Sequence, residues 1–229
     1  MRRLMAVSIL MLSIGAIASD QPSTCRDIAD EPNHQLLYQN DVVRIFQMDL
    51  PGTKATEEFC VAHPYLRVIA TEGRVADLVA GEVAYGHGWK PGDARFIFQP
   101  KRKAIRNETG VFFREYVVET LRPVEFDARY ESTADFDLLQ GEPALTQNHV
   151  ASAVRGSLTM SKAALGPGDQ LLIDEGSHFV IALSPVDLTY GKDKQLTLEK
   201  GEAVRLPVNS AIQLKNGGTR EARFITVDF

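Results

Sequence analysis

The feature that most constrains this chain is an internal repeat. The stretch "PGDARFIFQPKRKAIRNETGVFFREYVVE" aligns without a gap on "KGEAVRLPVNSAIQLKNGGTREARFITVD". Gly92 pairs with Gly201, Asp93 with Glu202, Ala94 with Ala203, Asn107 with Asn216, Arg114 with Arg223, Val118 with Val227 and Glu119 with Asp228. Upstream, Pro51-Gly52 and Pro167-Gly168 each precede an apolar run, "YLRVIA" and "HFVIALS". The landmarks stand about four residues closer in the second half, a difference that a shortened hairpin absorbs. Self-similarity on this scale means that one structural unit is built twice. The expected division is a leader over 1–18, a first unit over 19–122, a polar linker over 123–148 and a second unit over 149–229.

Each unit reads as short strands. "VVRIFQMDL", "YLRVIAT", "ARFIF" and "FREYVVE" in the first copy, and "SLTMSKAAL", "LLID", "FVIALS", "AVRLPV", "AIQLKN" and "ARFITVDF" in the second, alternate or cluster apolar and β-branched residues between Gly, Pro and Asn turn signals. Only a short turn near Thr24 to Glu31 reads as helical. Many short strands at regular spacing predict an all-β sandwich or barrel.

The leader is read from Arg2-Arg3, the apolar run from Leu4 to about Ile14, and the small residues Ala16-Ile17-Ala18, the pattern of a secretory signal peptide. The run falls short of the roughly 20 apolar residues that span a bilayer, and no cysteine follows the cleavage site, so no membrane anchor is expected. An exported protein, periplasmic or secreted, is the expectation. With 44% hydrophobic residues, 24% charged and a formal net charge of -5, the chain has material for a core and little to attract nucleic acid. Export permits a disulfide between the two cysteines, Cys25 and Cys60. Two buried free thiols are the alternative.

The doubled spacing resembles the cupins, in their two-domain or bicupin form. Their second motif runs G, five residues, P-x-G, two residues, H, three residues, N. Gly92, Phe98, Pro100, Lys103 and Asn107 stand at those positions in the first copy, and Gly201, Pro207, Asn209, Ile212 and Asn216 in the second. The resemblance implies two tandem jelly-roll β-barrels, with the motif histidine replaced in both. Their first motif is ambiguous by one residue. Counting from Gly52 puts Glu58 and Cys60 on its histidine pair, whereas counting back from Gly73 puts Phe59 and Val61 there, and such a slip exchanges the faces of a strand. The second count is preferred, because "YLRVIATEGRV" then falls on the usual strand and turn. None of the five histidines, His34, His63, His87, His149 and His178, falls on a ligand position. A partly exposed strand or turn histidine is the plainer reading of each.

A lysine in place of a ligand would repel a cation and attract a carboxylate or phosphate. The expectation is therefore no metal and no other cofactor. Lys103, Ile105 and Asn107 would face inward and Arg102 and Arg106 outward. Lys103, with Arg95, Asn107, Tyr65 and His63 at the rim, would form a cationic pocket for a small anion such as a sugar acid. The plainer reading of "PKRK" is a charged strand edge that discourages pairing. Two other classes stay open. One is an enzyme, either an epimerase-like one using His63 with Tyr65 or Tyr116 as an acid-base pair, or a metal-dependent dioxygenase or isomerase around Glu58, Cys60 and His63. The other is an accessory protein whose second copy, with Ile212 and Leu171-Leu172, is filled and packs against the first or in a homodimer.

Overall fold

A computed structural model describes residues 25–97, 102–122, 136–137, 150–155, 158–191, 194–208 and 211–229. The expected signal peptide, most of the expected linker, His149 and the motif positions Phe98, Pro100 and Asn209 lie outside these residues.

A 3-10 turn, Ile28–Asp30, capped by the Asp27 carboxylate on the Ala29 N–H, precedes the strands. The first unit contains β1 (His34–Gln39), β2 (Val43–Leu50), β3 (Phe59–Cys60), β4 (Tyr65–Ile69), β5 (Gly73–Val79), β6 (Gly86–Trp89), β7 (Ala94–Ile97), β8 (Arg102–Asn107) and β9 (Phe113–Thr120). β10 (Phe136–Asp137) follows, and then the second unit: β11 (Val150–Arg155), β12 (Leu158–Leu165), β13 (Gln170–Ile173), β14 (Gly176–Ala182), β15 (Val186–Tyr190), β16 (Lys194–Leu198), β17 (Ala203–Val208), β18 (Ile212–Asn216) and β19 (Ala222–Asp228).

Sheet order exposes the duplication. One sheet of the first unit runs β1-β2-β9-β4-β7-β10 and faces another of order β3-β8-β5-β6; in the second unit the orders are β11-β12-β19-β14-β17 and β13-β18-β15-β16. Strand for strand, β1 to β9 match β11 to β19. The result is two jelly-roll barrels, as the repeat and the motif spacing imply. The shortening falls in one hairpin: residues 80–85 join β5 to β6, whereas 191–193 suffice between β15 and β16. The expected linker is not wholly outside the barrels, since Phe136 and Asp137 pair with Phe96 and Arg95 and extend the first unit's sheet by one strand.

Strand alternation divides the core into three. In β9, Phe113 and Val117 point into the first barrel while Tyr116 and Val118 point out of it. The outward set joins Ile45, Leu66, Val68 and Phe96, and meets Met160, Phe179, Ile181, Ile225 and Val227 of the second barrel in one apolar layer. The two units therefore pack on each other within the chain. The first barrel keeps its own core around Phe46, Phe59, Val61 and Ile105, and the second around Val180, Leu188, Leu214 and Phe224.

Asn107 and Asn216 do the same work in both copies. The Asn107 amide donates to the carbonyls of Leu50, Pro51 and Val111, and its oxygen accepts from Thr109. The Asn216 amide donates to Leu165 and Arg220, and its oxygen accepts from the Gly218 N–H. Each side chain satisfies backbone groups that a buried turn would otherwise strand.

Two details depart from expectation. Leu172 is exposed rather than filling the second barrel, which Leu171 and Ile212 line instead. His178 and His34 are buried rather than partly exposed: His178 bonds Asp228 at 2.6 Å and the Asp174 carbonyl at 2.9 Å, and His34 bonds Glu31 at 2.5 Å.

Candidate functional site

The interior of the first barrel holds a charged cluster. β8 alternates, so that Lys103, Ile105 and Asn107 are buried while Arg102 and Arg106 are exposed. On β4 the same alternation turns Tyr65, Arg67 and Ile69 inward, because Leu66, Val68 and Ala70 are taken by the layer between the barrels. β9 contributes Glu115 and β5 contributes Asp77.

Their charges interlock. Arg67 donates to Glu115 Oε2 from Nη2 at 2.5 Å and from Nε at 3.1 Å, and from Nη1 to both Asp77 oxygens at 3.1 and 3.0 Å. Lys103 Nζ donates to Asp77 Oδ2 at 3.1 Å and lies 5.4 Å from the centre of the Tyr65 ring. Arg67 and Arg95 stack on Trp89 at 5.4 and 5.2 Å from its centre. Both contacts have cation–π geometry. Arg67, Lys103 and Glu115 are sealed from solvent, but the Asp77 side chain keeps 33% of its exposure, so the cluster meets water through that carboxylate.

Burial alone would push the Asp77 carboxyl up, but Arg67 and Lys103 outweigh it and hold it below the usual carboxylate range. Burial likewise disfavours the charged forms of Arg67 and Lys103, and the carboxylates overcome it, so both stay protonated with pKa values raised. The Tyr65 hydroxyl is pushed up by burial and stays neutral. Two polar atoms here are buried without a partner at hydrogen-bonding geometry: Glu115 Oε1 and the Tyr65 hydroxyl oxygen. Such atoms are costly unless something satisfies them.

The expected ligand set divides on inspection. Lys103, Tyr65 and Arg95 do face one interior. Asn107 does not belong with them, since its amide is committed to the turn described above. His63 does not either: its Nδ1 lies 3.0 Å from Glu119, whose other oxygen takes Arg44 Nε at 2.6 Å, while Arg44 also reaches Asp27. That is a separate cluster beside the N-terminal arm. Sequence reasoning missed Arg67, Asp77, Glu115 and Trp89. The signal was present in "YLRVIA" and "FREYVVE", where a charge inside an apolar strand shares its parity with inward residues.

Tyr116, the other partner weighed for His63, points out of the barrel and bonds the Gly201 carbonyl at 2.9 Å. The ambiguous motif resolves by burial. Phe59 and Val61 are inward, whereas the Glu58 side chain is 41% exposed and grips Arg102. Cys60 is joined to Cys25 in a disulfide with Cα atoms 5.9 Å apart. Glu58, Cys60 and His63 therefore do not form a ligand set. Among the described residues no group of three or more His, Cys, Asp and Glu side chains is placed to hold a metal ion. With Phe59, Val61 and the Lys103 ammonium at the positions where a cupin holds its metal, the residues do not fit one.

No family model and no curated protein matches the chain. Solved structures do. AerE from Microcystis aeruginosa is similar with a TM-score of 0.61 at 10% identity, over 86% of this chain and 97% of that one. A cupin 2 conserved barrel domain protein from Leptotrichia buccalis follows at 0.56 and 14%, over 85% and 87%. The salicylate 1,2-dioxygenase from Pseudaminobacter salicylatoxidans gives 0.55 and 14%, over 83% and 72%. The oxalate decarboxylase of Bacillus subtilis gives 0.55 and 10%, over 82% and 68%. At these identities the likeness is one of fold, and the fold is that of the cupins, with two jelly-roll barrels in a single chain.

Proposed function

We propose that this chain is an exported bicupin whose first barrel binds a small hydroxylated carboxylate without a metal. The carrying observation is the pair of buried unpartnered atoms, Glu115 Oε1 and the Tyr65 hydroxyl, in an interior that also holds Arg67, Lys103 and, half-buried, Arg95. Glu115 Oε1 requires a donor, which a ligand hydroxyl supplies. The Tyr65 hydroxyl donates to a carboxylate. Arg67 and Lys103 are paired with Asp77 and Glu115 and hold the donors of the site in place. Trp89, on which both arginines stack, forms an apolar wall of the interior. Sites of this kind combine few polar groups with apolar walls. Two proteins of similar fold are named for oxalate and salicylate, both carboxylates, which supports this ligand class.

Export rests on the N-terminal pattern and is supported by the Cys25–Cys60 disulfide, a bond kept in oxidising compartments. The test is a thermal-shift screen of sugar acids and hydroxy acids, with plasma mass spectrometry of the untagged exported protein. Saturable stabilisation that Lys103→Met and Arg95→Gln both remove, in protein free of stoichiometric metal, is the expected result. About one metal ion per chain, or a panel without response, would overturn it.

A further inference from the structure

Among the described residues of the first unit, a third polar atom is buried without a hydrogen-bond partner: Nε2 of His34. The side chains of His34 and Glu31 are both sealed from solvent. Glu31 Oε2 lies 2.5 Å from His34 Nδ1 and accepts from the Asn33 N–H at 2.9 Å, while Oε1 accepts from the Asn33 amide at 2.8 Å and the Glu57 N–H at 3.1 Å. Burial would raise the Glu31 carboxyl, but the bonds from His34 and Asn33 outweigh it and hold it below its ordinary range. A carboxylate on Nδ1 fixes the proton there, so Nε2 of the neutral ring is left as an acceptor without a donor. Strand register shows which way the ring faces. His34 stands opposite Met48, and Met48 stands opposite Glu115. Residues so paired share a face, and Met48 belongs to the core of the first barrel. The His34 ring packs 4.6 Å from the ring of Phe59, which itself stands opposite Lys103. His34 is thus one residue removed from the charged cluster along two directions, through Met48 and through Phe59.

The second barrel supplies two controls. His178 is also buried against a carboxylate, but both of its nitrogens are used, one by Asp228 at 2.6 Å and the other by the Asp174 carbonyl at 2.9 Å. That histidine is completed by the fold, whereas His34 is not. At the place matching His34 stands Val150, opposite Ala163, which in turn stands opposite Phe224, the counterpart of Glu115. Strand pairing at this place therefore does not call for a histidine. A buried acceptor left without a donor is costly, and the first barrel carries it on the same face as the unpartnered Glu115 Oε1.

We infer that His34 Nε2 is a further ligand contact of the first barrel, accepting a second ligand hydroxyl, and that the ligand is a polyhydroxylated acid rather than a simple hydroxy acid. The inference rests on the reading of that interior as a carboxylate site and narrows it. Glu115 Oε1 and His34 Nε2 each require a donor. Their strands lie two places apart, which sets the two backbones about 10 Å from each other. A chain of several hydroxylated carbons spans such a gap, and a two-carbon acid does not. Met48 and Phe59, between the two acceptors, offer apolar surface to the C–H faces of that chain. Glu31 is a positioning residue, which holds the ring and its tautomer.

The test is calorimetric titration of the whole protein with gluconate, glycolate and acetate. Gluconate bound about tenfold or more tighter than glycolate by the wild type, with that preference lost in His34→Phe while the affinity for glycolate holds, is the expected outcome. The ratio separates a ligand contact from a structural role, since a damaged fold weakens both acids alike. Nitrogen NMR of the labelled wild type decides the matter if His34→Phe folds poorly: the His34 Nε2 signal should shift when gluconate saturates the protein and stay in place with glycolate. Equal binding of gluconate and glycolate, a preference unaltered in His34→Phe, or an Nε2 signal indifferent to gluconate would overturn this inference and leave the carboxylate site standing. No binding of any of the three acids would overturn both.

Discussion

Inside the first barrel stand Arg67, Asp77, Lys103 and Glu115; at the four matching places in the second stand Val180, Tyr190, Ile212 and Phe224. Trp89 and Arg95 likewise become Leu198 and Val204. Backbone, sheet order and the asparagine clamp are common to both, so the scaffold does not require the charges. Buried ion pairs stabilise a fold weakly, and replacing a pair by well-packed apolar residues is often neutral or favourable by about 1 to 4 kcal/mol. The second barrel follows that simpler solution. The first retains an interior with two unsatisfied polar atoms, an arrangement that makes sense when a ligand completes it.

The largest effect should come from breaking the charged interior halfway. Arg67→Met leaves Glu115 buried with its arginine gone and should cost about 3 to 5 kcal/mol, read by denaturant unfolding. Val180→Ala at the matching place trims only apolar volume, so the comparison separates lost charge pairing from lost packing. A smaller but still large effect follows loss of the disulfide, which ties the N-terminal arm across a separation of 35 residues to the first barrel alone. Cys25→Ser with Cys60→Ser should cost about 3 to 4 kcal/mol on the loop-entropy account.

Next come Asn107→Ala and Asn216→Ala, each expected to cost about 1 to 3 kcal/mol because buried turn carbonyls lose their donors. Similar losses in the two variants would sharpen the view that Asn107 belongs to the scaffold. A much greater loss of ligand binding than of stability in Asn107→Ala would return it to the site.

The smallest effect is a pH dependence confined to the second barrel. The bond to Asp228 outweighs burial and raises the His178 pKa above its ordinary value. A raised histidine contributes stability that is fully present below its unfolded pKa, about 6.5, and is lost as pH rises through the folded value. Melting temperature should therefore decline across that window in the wild type and less so in His178→Asn. Asp77 behaves oppositely. Its depressed carboxyl contributes stability present above the unfolded value near 3.9 and lost as pH falls toward the folded one. Asp77→Asn should flatten the acid limb of the stability profile.

The duplicated barrel was legible in the sequence because Gly, Pro and Asn recur at fixed spacing between short apolar runs, and spacing survives when chemistry changes. Lys103 was legible for the same reason, as a substitution at a known place in the motif. The inward parity of Arg67 and Glu115 was legible too, but their meeting with Asp77 was not, because the three lie on different strands and become neighbours only when β4, β5 and β9 close around one interior. Asn107 and His63 were misplaced for a related reason. A polar side chain facing inward can serve the backbone or a neighbouring acid as readily as a ligand, and the sequence does not say which groups lie within reach. The reversed outcome at His178 and His34 has the same origin, since Asp228 and Glu31 each bond the Nδ1 of one of these rings in burial.

The most direct measurement transplants the second barrel's interior into the first. The quadruple variant Arg67→Val, Asp77→Tyr, Lys103→Ile, Glu115→Phe should be compared with the wild type for ligand-dependent thermal shift across sugar acids and hydroxy acids. A cooperatively folded variant that has lost the saturable stabilisation seen in the wild type is the predicted result. An equal shift in both proteins, or no shift in the wild type at any concentration, would contradict the account.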